Sequence, residues 1–279
     1  MRFAIATSPS KPQRPNVDFA AAIASGAVLL DGSDASGTVS KCHHGVAWYA
    51  RQLGGAIVAR LVDEATSLRD VLAEAISATT ALHADTCQPD DPGSPGATVI
   101  IVRAVADRFE YLVLADSVLV IESSTGDPFA VTDDREAQAG RPFRTALDGE
   151  PNGTQAHEDA RRRYVEAVRH YRNQAGGFWV AADNPAAAGE AITGQLPLTE
   201  VRRVLLLSDG ASRLVDRFGL ATWRDLLDLA DEHGPTDLLR RTRIAEAGDP
   251  LGTRWPRGKT HDDATAVLLT RMSGDRATG

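Results

Sequence analysis

Cysteine is nearly absent. Only Cys42 and Cys87 occur in a chain of 279 residues. They form no C-x-x-C pair, so neither a disulfide framework nor a structural zinc site is indicated. Long apolar runs are missing too, and no segment approaches the ~20 residues of a membrane-spanning helix. Positive charge is in deficit, with 30 Lys and Arg against 38 Asp and Glu and a net charge of −8. Nucleic acid as the main partner demands a basic face, so that balance argues against it. The opening MRFAIATSPSKPQRP lacks the charged front and longer apolar core of a signal peptide. A cytoplasmic protein that does not engage membranes is expected. No internal repeat or low-complexity tract breaks the chain.

What remains is ordinary globular composition, 43% hydrophobic and 24% charged, in a chain long enough to bury a sizeable core. Residues 2–7 and 27–30 read as strands. Val46, Ala50, Leu53, Ile57 and Leu61 recur at helical spacing within about 42–63. Ser67 and Asp70 have capping-box spacing ahead of Leu68, Val71, Leu72 and Ile76. Three strands rich in β-branched residues follow at 98–102, 110–114 and 117–121. Only Ala115-Asp116 separates the last two, which predicts a hairpin with an acid at its tip. The polar stretch 123–157 reads as a substrate-facing flap. An Arg-rich helix is expected at about 158–173, with short strands at 178–181 and 191–195. Val201–Ser208 reads as a buried strand, helices start at Thr222 and Gly234-Pro235, and 264–270 is the last strand. Short connections and irregular strand–helix alternation favour an α+β fold over a doubly wound sheet.

Three apolar runs abut an acid: Val28-Leu29-Leu30-Asp31-Gly32, Leu205-Leu206-Leu207-Ser208-Asp209-Gly210, and Asp262-Asp263 ahead of Ala264–Val267. Carboxylates held at strand ends can converge on hard divalent cations, which prefer oxygen ligands. In isolation Asp31 and Asp209 could each be a turn acid, since Asp-Gly is a standard turn pair. A nucleophilic aspartate of the haloacid-dehalogenase kind is disfavoured, because Ser33 stands where a second aspartate belongs.

Further blocks join these in order: Asn16-Val17-Asp18-Phe19, Gly96-Ala97-Thr98, Leu114-Ala115-Asp116-Ser117, and His261-Asp262-Asp263-Ala264-Thr265. In this set the chain resembles the metal-dependent protein phosphatase 2C family, in its short bacterial branch. The resemblance implies a four-layer α-β-β-α sandwich of two antiparallel sheets, one domain over 1–272, and a flexible tail at 273–279. It implies a phosphatase acting on phosphate monoesters, above all phosphoserine and phosphothreonine in proteins. Two Mn²⁺ or Mg²⁺ ions would be held by Asp31, the Gly32 carbonyl, Asp209 and Asp262, with Asp18 binding through water. Asp31, Asp209 and Asp262 would form the catalytic set, water made nucleophilic by both ions attacking phosphorus in line. Asp116 would serve a third, weaker ion. The chain departs from the family pattern at residues 33–36, where Ser33-Asp34-Ala35-Ser36 replace glycines. Val17 replaces an acid and Asp263 an asparagine. Gln13 stands in place of the phosphate-binding arginine, leaving Arg14 as the substitute, and Arg213 stands where a further aspartate is common. These departures keep a second reading open, a weak or inactive relative that binds a phosphorylated partner.

Other motifs carry less. Gly252–Lys259 imitates a phosphate-cradling Walker loop but has five residues between its glycines, where four are needed, and a strand follows instead of a helix. Arg254, Arg257 and Lys259 could flank a phosphate entrance or simply line a solvated loop. Cys42-His43-His44 has no partner cluster of ligand spacing in sequence and reads as a surface histidine pair at a helix start. His261 could protonate a leaving group or bond locally.

Overall fold

The computed structural model describes residues 1–33, 42–88, 91, 93–124 and 126–271. Residues 34–36 and the tail expected at 273–279 lie outside them. The chain opens with β1 (Arg2–Ser8), β2 (Phe19–Ile23) and β3 (Gly26–Ser33), then α1 (Val46–Arg60) and α2 (Leu68–Ala81). β4 (Gly96–Val105), β5 (Arg108–Leu114), β6 (Val118–Ser123) and β7 (Phe129–Val131) precede α3 (Arg135–Asp148) and α4 (Gln155–Arg169). β8 (Ile192–Pro197) and β9 (Val201–Leu207) lead into α5 (Asp209–Asp216), α6 (Trp223–His233) and α7 (Pro235–Gly248), and β10 (Ala264–Thr270) follows.

The strands form two antiparallel sheets, ordered β1-β10-β9-β6-β7 and β2-β3-β4-β5-β8. Side chains alternate between the faces of a strand, so each strand here serves two cores. Along β3, Ala27 and Leu29 point between the sheets, meeting Ile100, Leu119, Leu206 and Val267. Val28 and Leu30 point outward against Leu53, Ile57, Leu72 and Ile76 of α1 and α2. β9 repeats the scheme, with Val204 and Leu206 inside and Leu205 and Leu207 against Leu214, Leu226 and Leu238 of α5–α7. Burial on both faces is why these strands read as unbroken apolar runs. Each buried Val, Leu or Ile among them contributes about 1.5–3 kcal/mol. The layers are helices, sheet, sheet, helices, the α+β sandwich expected. No helix among the described residues is long and apolar enough to cross a membrane.

Three local expectations need correction. β5 and β6 do not form a hairpin: β5 pairs with β4 and β8, and β6 with β7 and β9. The link Ala115-Asp116 instead carries the chain from one sheet to the other, with Ala115 at φ 67°. The stretch 178–181 makes only isolated bridges, Arg172 to Phe178 and Ala97 to Ala181. The polar segment 123–157 holds β7, all of α3 and the start of α4, so about half of it is helix.

Candidate functional site

Four separated segments bring carboxylates to one end of the sandwich. Asp31 lies on β3 opposite Thr98 of β4, and its backbone N–H donates to the Thr98 hydroxyl at 3.3 Å. Asp209 opens α5 directly after β9. Its N–H donates to Asp31 Oδ2 at 3.2 Å, so two of the expected residues meet across the sheets. Asp18 immediately precedes β2, and its N–H donates to Asn16 Oδ1 at 2.9 Å. Asn16 Nδ2 in turn donates to the Thr7 hydroxyl at 2.6 Å, tying this loop to β1. Asp262 sits just before β10, with Lys259 Nζ donating to Oδ1 at 2.7 Å and Arg213 Nη2 to Oδ2 at 3.4 Å.

The glycines beside these acids are there for close approach. A Cβ on Gly32 would lie 2.5 Å from the Val17 carbonyl oxygen and 2.6 Å from Val46 Cγ1. One on Gly210 would lie 2.0 Å from the Asp263 carbonyl oxygen. Asp263 is a fastener: its carboxylate accepts the N–H groups of Ser10 at 2.5 Å and Val17 at 2.7 Å, fixing the loop that presents Asp18.

Electrostatics mark the cluster. Burial, together with the charge of Asp209, raises the Asp18 carboxyl to about 7, while Thr265 and Ser208 close by offset part of the rise. Burial and then the charges of Asp18, Asp209 and Asp262 push Asp31 well above the carboxylate range. Asp209 is raised by burial and by Asp262. Like charges gathered out of water either take up protons or demand a cation. Both oxygens of Asp18, and Oδ1 of Asp209, are buried without a hydrogen-bond partner. Oxygen-only donors with orphaned lone pairs fit a hard divalent ion.

Asp116 lies on the inter-sheet link. Burial and then Glu136 and Asp209 raise its carboxyl well above the ordinary value. Glu136, on α3, is raised by burial and Asp209. No sequence signal singled it out, because its helix lies inside a segment that reads as a flap. Arg213 donates to Glu246 Oε1 at 2.6 Å. Glu246, fully buried, also holds Arg243 at 2.8 Å and His261 Nδ1 at 2.7 Å. His261 therefore bonds locally, and this network braces the Asp262 loop. Arg257 is buried against Asp249, Arg254 stacks over Trp255, and Arg14 is exposed on the loop between β1 and β2.

The carboxylates do not close on one point. Among the described residues, the group of three or more ligating side chains whose donor atoms all lie within 4.8 Å of one another is Cys42, His44, His83 and Cys87. This corrects the expectation of a surface histidine pair with no partner cluster. The partners come from about 40 residues away and are delivered by the turn that ends α2, a proximity that local spacing does not reveal.

Residues 8–243 match the family profile described as Protein phosphatase 2C. The chain belongs to the protein phosphatase 2C family. The matched span includes Asp18, Asp31, Asp116 and Asp209 and ends before Asp262. No curated protein matches the sequence. Among solved structures, the catalytic domain of the serine/threonine phosphatase PstP with two manganese ions is similar, at 20% identity and a TM-score of 0.56, covering 96% of both chains. The phosphatase MsPP from Mycobacterium smegmatis, in complex with cacodylate, gives 20% and 0.53, covering 97% of this chain and 98% of its own. A bacterial serine phosphatase gives 13% and 0.61, with 97% of each chain covered. At these identities the structural likeness speaks for the fold, and the phosphatase 2C assignment rests on the profile match.

Proposed function

We propose that the protein is a divalent-cation-dependent phosphatase that hydrolyses phosphoserine and phosphothreonine in proteins. The observation that carries this reading is that Asp18, Asp31, Asp209 and Asp262 come to one end of the sandwich, with both Asp18 oxygens and Asp209 Oδ1 buried without a hydrogen-bond partner. Asp31, the Gly32 carbonyl, Asp209 and Asp262 would hold two ions, and Asp18 would engage them through water. The manganese pair in the PstP structure supports that number. When bound, the cations supply the Lewis acidity that activates water and offsets phosphoryl charge. Asp31 and Asp209 fix the position of that charge, because one accepts the backbone N–H of the other. Asp116, with Glu136 beside it, would serve a third ion. Arg14 and Lys259 are the cations available to orient the phosphate, and Lys259 is the better placed through its bond to Asp262.

The test is Mn²⁺-dependent hydrolysis of an aryl phosphate and of a phosphothreonine peptide, beside Asp31→Ala and Asp209→Ala. Each variant should lose at least about 10²-fold in kcat, as when charge stabilisation of a transition state is removed. Unchanged turnover in both would overturn the site.

One observation favours a second reading, a phosphatase-like binding module. Both Asp262 oxygens are engaged by the protein's own cations, Lys259 and Arg213, and a metal must displace Lys259 to use them. Lys259→Ala separates the readings. Under the enzymatic reading it tightens Mn²⁺ binding by up to about fivefold, the worth of a partly exposed ion pair, and raises KM. For a binding module, Mn²⁺ affinity stays weak in calorimetry and no turnover appears.

A further inference from the structure

Cys42 and His44 lie just ahead of α1, and His83 and Cys87 lie in the turn that ends α2. Cys42, His83 and Cys87 are buried, at 5%, 3% and 9% exposure. Cys42 Sγ lies 3.5 Å from His83 Nδ1 and 3.9 Å from His44 Nδ1, and Cys87 Sγ lies 3.4 Å from His44 Nδ1. A tetrahedral zinc ion with bonds of ~2.3 Å to sulfur and ~2.05 Å to nitrogen sets its sulfur–nitrogen edges at about 3.6 Å. The observed separations fall around that edge. All four donor atoms lie within 4.8 Å of one another, and two thiolates with two imidazoles are the donor set zinc prefers in tetrahedral sites.

The surroundings are those of a closed site. Trp48 stacks on His44, with ring centres 4.2 Å apart, and leans on His83 at 5.3 Å. The backbone N–H groups of His44 and Gly45 turn toward the Cys42 sulfur, and those of His43 and His44 toward Cys87. From Cys87, the Thr86 hydroxyl is 3.8 Å away, and the N–H donates to the His83 carbonyl at 2.9 Å.

We propose that Cys42, His44, His83 and Cys87 bind one zinc ion as a closed structural site, separate from the carboxylate centre. With four protein donors and little exposure, it has no open position for substrate. Its role is to pin the start of α1 to the end of α2. That start matters because Val46, two residues beyond His44, packs on Gly32 beside Asp31. The zinc site thus buttresses the strand that carries the central carboxylate.

The experiment uses the full chain, purified under reducing conditions. Elemental analysis should find one zinc per chain, retained through gel filtration in Mn²⁺ buffer. After chelation, Co²⁺ should restore thiolate-to-cobalt charge-transfer and tetrahedral ligand-field absorption. Cys87→Ser and His83→Gln should each weaken zinc binding by more than the ~10- to 100-fold lost when an outer partner of a metal ligand is removed. Asp31→Ala should keep its zinc. His43→Ala should keep it as well, although that ring lies 3.6 Å from Cys87 Sγ. Native chain with no retained zinc and no cobalt–thiolate absorption would overturn the proposal. So would a Cys42–Cys87 disulfide in the reduced preparation, seen as a mass two hydrogens lower, or loss of the metal from His43→Ala. None of these readouts uses turnover, so they stand apart from the outcome at the carboxylates.

Discussion

A methyl group at position 210 would have to share space with the Asp263 carbonyl, 2.0 Å away. Gly210→Ala therefore pushes the first turn of α5 off the Asp262 loop, at a cost of about 1–3 kcal/mol for an overpacked site. Thermal unfolding should show that loss, and Mn²⁺ affinity should fall with it, because Asp209 is the neighbouring residue. Gly210 was legible in the sequence as the partner of an acid, but its reason was not. An Asp-Gly pair reads as a turn, whereas here the glycine opens a helix and makes room for a backbone from the far end of the chain. Asp31 and Asp209 were legible because each follows the apolar run of a strand, and those runs are plain. The bond from Lys259 to Asp262 and the approach of Glu136 to Asp116 were not, since both depend on how loops and helices close in space. The Cys42–Cys87 group was misread for the same reason.

Among the elements, β6 carries a charge where its neighbours are apolar. Glu122, 1% exposed, receives Arg203 Nε at 2.6 Å and Nη2 at 3.0 Å, with Arg224 at 3.1 Å. The Arg203 hydrogen bonds hold its carboxyl below the ordinary value. A depressed carboxyl contributes stability that is present above its unfolded value and lost as pH falls through the folded one. Glu122→Gln should thus destabilise the protein by about 3 kcal/mol at pH 7, as for a buried pair broken from one side. In denaturant unfolding the gap between variant and parent should close as the pH is lowered below about 4. Elements with strong periodicity were readable: β10 runs over the residues anticipated, and the Thr222–Asp225 capping box starts α6. α3 escaped because its mean composition is polar, with Pro142 inside it. The β5–β6 link misled because a short connection permits a hairpin without requiring one.

At the scale of the whole molecule, like-charged acids gathered at one end of the sandwich hold back stability, which a bound cation would restore. Mn²⁺ at 100 times its Kd should add about 2.7 kcal/mol, which is roughly 5–10 °C in Tm for a protein of this size. The gain should be lost in Asp31→Ala. It should also shrink as pH falls below about 7, where Asp18 takes up a proton in competition with the metal. The two-sheet architecture was readable only through the resemblance, because apolar runs buried on both faces do not say which sheet a strand joins. The order of the first sheet also has a bearing on biosynthesis. β10 lies between β1 and β9, yet the ribosome makes it after every other strand described here. Until residue 270 has been polymerised, β1 has no strand to pair with and Asp262 has no strand to stand beside. Elongation therefore delays the assembly of the carboxylate site to the end of this fold's synthesis, and a chain arrested upstream of position 264 is born without it.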